Sequence, residues 1–154
     1  MPPKVVTLKR LLYRQAHSAD QATLKHMQQQ RFVWFALVPN YAESYGKIQR
    51  IYRPTRPLRL LDLSTMAMRR IIAHELGVHI ERIHPDEQYS GGGGNHLVHV
   101  ILEPLLQTYS LDGTIIDSAR ADEDCVGATE VVLRGSCVRS VSYTHLTLPT
   151  KRIV

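Results

Sequence analysis

The 154-residue chain has no apolar run approaching the ~20 residues that a membrane-spanning helix needs. Its first residues, "MPPKVVTLKRLL", lack the apolar core and small-residue cleavage site of a secretory signal. Cysteine is scarce. Cys125 and Cys137 stand alone, without the paired spacing of a metal knuckle, and are expected as free thiols in a reducing, cytoplasmic compartment. Aromatic residues make up only 6% of the chain, and no internal repeat is visible. What remains is ordinary for one globular domain large enough to bury a core, with 44% hydrophobic and 21% charged residues. The formal charge of +5 would suggest an anionic partner.

Part of that charge sits in a tail unlike the rest. Residues 141–150, "VSYTHLTLPT", translate the codons GTC TCT TAT ACA CAT CTG ACG CTG CCG ACG, a frame of a transposon-based sequencing-library adapter. Ser140 is then the junction codon. The adapter's next base, an index and GTG TAG account for "KRIV". Residues 140–154 are therefore expected to be an adapter-derived tail, with a single domain over 1–139 and a natural chain that continues past Arg139. Without Lys151 and Arg152 the charge falls from +5 to +3, which weakens any case for nucleic acid.

Pattern and punctuation predict mixed elements. Strands are expected over 7–15, 31–37, 47–54, 57–64, 113–117 and 128–134, where apolar, β-branched and aromatic residues cluster between turn signals. Helices are expected over 18–30, 39–46, 64–76 and 96–109. The third has Ser64 as cap, a stripe of Met68, Ile71, Ile72 and Leu76, and Gly77 as stop. The last is interrupted or restarted at Pro104. A glycine-rich loop covers 85–95. Irregular mixing of strands and helices indicates an α+β domain.

Three local patterns invite chemistry and fail on spacing. "HELGVH" resembles a zinc-protease helix, but that site needs its histidines four positions apart; His74 and His79 are five apart, which turns their rings about 140° away from each other, and Gly77 ends the helix between them. His84 continues the same unhelpful period. "SGGGGNH" lacks the Lys and Ser/Thr that let a glycine loop hold phosphate and magnesium. Arg50, Arg53, Arg56 and Arg59 recur every three residues, so on strands they alternate faces and read as a charged strand edge.

Three separated pieces fit one pattern together. "LLYRQ" (11–15) ends a first strand on an arginine. "FVWFALVPNYAESYG" (32–46) is a strand followed by a short helix ending in an aromatic residue and Gly. "TEVVLRG" (129–135) is a late strand opening with a glutamate. In this order the chain resembles the ADP-ribosyltransferase superfamily of the arginine–serine–glutamate type, over roughly residues 7–136. "YGKIQRIYRPTRPLRLLDLS" and "YSLDGTIID" look like its connecting strands.

The resemblance implies two small, mainly antiparallel sheets forming a cleft with flanking helices, and NAD as a substrate bound there, with no metal. It implies Glu130 as the catalytic residue and Arg14 on the pyrophosphate, where a guanidinium suits phosphate oxygens. Cleavage of the nicotinamide–ribose bond builds oxocarbenium character, which a carboxylate beside the ribose stabilises. Trp34, Phe35, Tyr41 and Tyr45 are the aromatics available to stack on nicotinamide. The chain departs from the family in two places. The second strand carries no hydroxyl where Ser-Thr-Ser is usual. Ala128 stands where arginine-modifying members carry Glu or Gln, which argues against arginine as the acceptor. A catalytically silent module on the same scaffold is the second expectation, and a zinc hydrolase the third.

Overall fold

The computed structural model describes residues 2–16, 32–39, 47–83, 97–120, 122 and 130–141. The expected helix over 18–30, residues 40–46 of the second helix, and the loop over 85–95 lie outside them. So do Tyr41, Tyr45, His84, Cys125 and the tail past Val141.

The strands are β1 (Val5–Leu8), β2 (Leu12–Ala16), β3 (Val33–Ala36), β4 (Ile48–Pro54), β5 (Leu58–Asp62), β6 (Gly113–Ile116), β7 (Glu130–Leu133) and β8 (Val138–Ser140). The helices are α1 (Met66–Leu76) and α2 (Glu103–Thr108). A 3-10 turn over Ile80–Ile83 follows α1, and a π-helical segment over Leu97–Leu102 runs into α2. The domain is α+β. The expected strand over 7–15 is two strands, β1 and β2, which part company at Lys9–Leu11. β8 was not foreseen; it is short and has little periodicity to read.

α1 begins one residue later than its sequence suggests. Thr65, not Ser64, is the cap: its side chain accepts from the Met68 amide. Ser64 is buried and serves elsewhere. Gly77 ends the helix as expected, at φ 66°, where a side chain would be strained. The buried residues of α1 are Arg69, Ile72 and Ala73, so an arginine occupies part of the stripe assigned to Met68, Ile71 and Leu76. Arg69 can be buried because its guanidinium donates to the Leu63 carbonyl at 2.8 Å and lies 3.7 Å from Asp122. Pro104 falls in the first turn of α2, where its missing N–H costs nothing.

All eight strands join one sheet in the order β1-β5-β6-β7-β3-β2-β4-β8. Among the described residues only the β5–β6 junction is parallel. This differs from the expected pair of separate sheets, and the reason is one contact. β2 and β3 share a single rung, Tyr13 opposite Ala36, which joins the five-stranded group β1-β5-β6-β7-β3 to the three-stranded group β2-β4-β8. The flanking junctions are longer: β2 meets β4 over five rungs and β3 meets β7 over four.

The sheet separates two cores. On one face, Leu61, Leu63, Ile116 and Val132 meet Ile72 of α1 and Leu105 and Leu106 of α2. On the other, residues from every strand cluster, among them Leu8, Leu12, Val33, Tyr52, Leu60, Ile115, Val131 and Val138. The sheet curls around this second core. Cys137, just ahead of edge strand β8, lies 3.8 Å from the carboxylate of Asp112, just ahead of β6. Asp112 also takes both Arg56 nitrogens, at 2.5 and 2.9 Å, and the Arg59 amide. These bonds clasp the β4–β5 turn and the approach to β8 to the start of β6.

Candidate active site

The seam between β2 and β3 gathers three of the expected site residues. Antiparallel continuation of the Tyr13–Ala36 rung would set Gln15 opposite Trp34, but no such rung forms. Arg14 fills the gap: its Nη1 donates to the Trp34 carbonyl at 2.9 Å. Trp34 in turn donates its indole Nε1 to Oε2 of Glu130 at 2.7 Å. Arginine, aromatic and carboxylate are thus linked in series across β2, β3 and β7. A hydroxyl is missing from the second strand, and the donor that meets Glu130 is the indole N–H.

Alternation along the strands fixes where each side chain goes. Glu130 stands opposite both Ala36 and Ile116, on the face covered by the helices, and diagonal to Trp34. Arg14 stands opposite Arg50, with Leu12 opposite Tyr52 beside it, on the face of the second core. The register therefore puts the guanidinium and the carboxylate on opposite faces of the sheet, linked through Trp34 at the single-rung seam. Glu130 is 1% exposed; Trp34 and Arg14 are half-buried.

Burial lowers the Arg14 guanidinium from its usual range, and the neighbouring Tyr52 opposes that shift. Among the described residues Arg14 Nε is buried without a hydrogen-bond partner. Tyr52 is pushed up by burial, against the pull of Arg14 and Arg50. Its ring packs edge to face on Phe35 at 5.6 Å. Phe35 is wholly buried there, which leaves Trp34, among the aromatics expected to stack on nicotinamide, as the described one at the seam. Tyr41 and Tyr45 lie outside the described residues.

A second polar cluster holds the segment leading toward Glu130. Arg120 donates to the buried Asp62 at 2.7 Å and lies 3.7 Å from Asp117. The Asp117 amide donates to Ser64 Oγ, the Asp122 amide to the Ser64 carbonyl, and the Met66 amide at the start of α1 to the Asp122 carboxylate. The segment is therefore pinned at Asp117, Arg120 and Asp122. Its partners come from β5 and α1, a tertiary pairing with no signature in local sequence.

The histidine pattern has no such convergence. His74 and His79 are both exposed; His79 accepts from the Glu81 amide, and Glu75 accepts from the Tyr109 hydroxyl at 2.6 Å. Among the described residues no group of three or more His, Cys, Asp or Glu side chains is placed to hold a metal. No helix among them is long and apolar enough to cross a membrane. Of the basic run, Arg53 and Arg59 are exposed and Arg56 serves the Asp112 clasp. Arg50 is the exception, half-buried opposite Arg14. The signal that could have found it is its alternation with Tyr52 on β4.

Comparison with protein-family models, with curated proteins and with solved structures yields no match.

Proposed function

We propose that the chain is an NAD-binding, ADP-ribosyltransferase-like protein that transfers ADP-ribose to an acceptor, with the β2–β3 seam as its cleft. The observation that carries this reading is the linked series Arg14–Trp34–Glu130, assembled at the one weak junction of the sheet from segments 20 and 96 residues apart. The two strand groups on either side of the single rung supply the two halves that a split-sheet cleft requires.

In this reading Arg14 binds the pyrophosphate and Trp34 offers its ring to nicotinamide. A dinucleotide laid across the open end of the seam brings the nicotinamide ribose to the Glu130 side. There the carboxylate exchanges the indole N–H for the ribose hydroxyls and stabilises positive charge at the anomeric carbon. The bond to nicotinamide breaks, nicotinamide leaves neutral with the bonding pair, and the acceptor's nucleophilic atom bonds the anomeric carbon and releases its proton. The test is nicotinamide release from NAD by the whole chain and by Glu130→Gln. Turnover by the wild type that the variant loses, with the fold retained, supports the roles; equal turnover in both rejects Glu130.

A second reading, a catalytically silent module on the same scaffold, is favoured by the burial of Glu130 and by its position across the sheet from Arg14. Calorimetric titration with NAD separates the two. Absence of heat and of any thermal shift at millimolar NAD selects the silent module.

A further inference from the structure

We infer that Trp34 is a latch on Glu130, held shut by Arg14 from the other face of the sheet, so that release of the guanidinium frees the carboxylate. Its role in turnover rests on the NAD reading; the coupling itself is a property of the chain without ligand.

The latch is two hydrogen bonds made by one residue. The indole Nε1 donates to Glu130 Oε2 at 2.7 Å, and the Trp34 carbonyl accepts from Arg14 Nη1 at 2.9 Å. One bond is made by the side chain and the other by the backbone, so a shift at either is felt by the other through a single Cα. Each has an ionisable partner, and such bonds are shorter and stronger than neutral ones. Arg14 and Glu130 stand on opposite faces, and Trp34 bonds to both.

The strand leaves Trp34 room to move. Val33, Phe35 and Ala36 are at most 1% exposed, whereas Trp34 is half-buried and its ring packs against the helix-side core without being enclosed by it. Toward β7 its backbone stands opposite Val132; toward β2 the ladder stops at Ala36. The backbone at Trp34 is thus held on one side by strand pairing and on the other by an arginine side chain, which can withdraw without breaking a rung. Coupling between separated groups needs an element of this kind, with two arrangements that both ends bias.

The consequence is a shut resting state. Glu130 is 1% exposed, and a ribose hydroxyl can meet Oε2 only after the indole N–H has left it. A ligand group that draws the Arg14 nitrogens away loosens the Trp34 backbone and eases that exchange. The same movement makes the ring available to nicotinamide. The carboxylate is thereby kept from water until a ligand is engaged at Arg14.

Trp34 is the chain's one tryptophan, so its indole N–H gives a single resonance. The test is the hydrogen-exchange rate of that proton in the whole chain, with the amides of β7 as the reference for global opening. In Arg14→Gln the indole proton should exchange about tenfold faster, the scale of one lost charged hydrogen bond, with the β7 amides at wild-type rates. Arg14→Lys, which keeps the charge without the fork, gives the same reading if Arg14→Gln does not fold. An unchanged indole rate overturns the latch. So does an equal rise in the indole and the β7 amides, the mark of an arginine that only stabilises the fold. Adding NAD to the wild type should speed the indole proton in the same way. NAD that is bound and cleaved while the indole stays protected overturns the latch and leaves the transferase standing. A latch loosened by Arg14→Gln in a chain that neither binds nor cleaves NAD leaves the coupling standing and rejects the transferase.

Discussion

Trp34→Phe tests whether the seam's polar series carries energy. The substitution keeps a ring on β3 but removes the N–H that reaches Glu130 at 2.7 Å. Glu130 is 1% exposed, so water cannot replace that donor without rearrangement. A hydrogen bond to a charged group contributes roughly 1.5–3 kcal/mol, against about 0.5–1.5 for a neutral pair. Trp34→Phe should therefore destabilise the chain by about 2–3 kcal/mol, including some lost ring contact. For a domain of this size that lowers the melting temperature by roughly 4–12 °C. A double-mutant cycle isolates the bond from the packing. In a Glu130→Gln background the amide oxygen still accepts, but without the charge. There the same Trp34→Phe change should cost about 1 kcal/mol less, read from urea unfolding with matched slopes. Equal costs in the two backgrounds, within about 0.3 kcal/mol, would show that the carboxylate contributes no more at this contact than a neutral acceptor, and the reasoning would be refuted.

Other perturbations probe the frame around the seam. Gly113→Ala should cost about 3 kcal/mol or more in chemical denaturation, because a Cβ on β6 would collide with the backbone oxygen of Val132 across the β6–β7 junction. For Asp112, burial raises its carboxyl, but the Arg56 side chain, the Arg59 amide and the Cys137 thiol together hold it below its ordinary 3.8. Its stabilisation is therefore present above pH 3.8 and is lost as the pH falls through the lower folded value; Asp112→Asn should show a shallower acid loss there and lower stability at neutral pH. Burial, then the negative Asp112, pushes the Cys137 thiol from 9.0 to about 11. Iodoacetamide should thus leave Cys137 unmodified in the folded chain at pH 8 and label it on unfolding, as peptide mapping would show. Raising the pH from 9 toward 11 should lower stability, because the unfolded thiol ionises before the folded one.

Much of the frame was legible before any coordinates. The alternation of Arg50 with Tyr52 is readable along β4, although the run of arginines reads as a charged strand edge, and the register keeps the two on one face. Gly77 stopped α1 where a left-handed turn was needed, and the five-residue spacing of His74 and His79 separated two histidines that are both exposed. Other features were hidden because they depend on pairing between distant segments. Arg69 is buried only because Leu63 and Asp122 meet it, so a helical stripe read by polarity assigns it to solvent. The break between β1 and β2 has no punctuation stronger than "LKRL". β8 exists because β4 offers it an edge.

Local sequence, through periodicity, caps and turn residues, determined the α+β class and most strand positions; Arg14, Trp34 and Glu130 were singled out by the family resemblance alone. Tertiary structure alone decided that the eight strands among the described residues pair into one sheet, that a single rung joins its two parts, and that Arg14 and Glu130 stand on opposite faces with Trp34 linking them. The physical reason is that side-chain direction follows from strand spacing, whereas which strands pair, and where their ladder stops, is set by contacts between residues far apart in the chain.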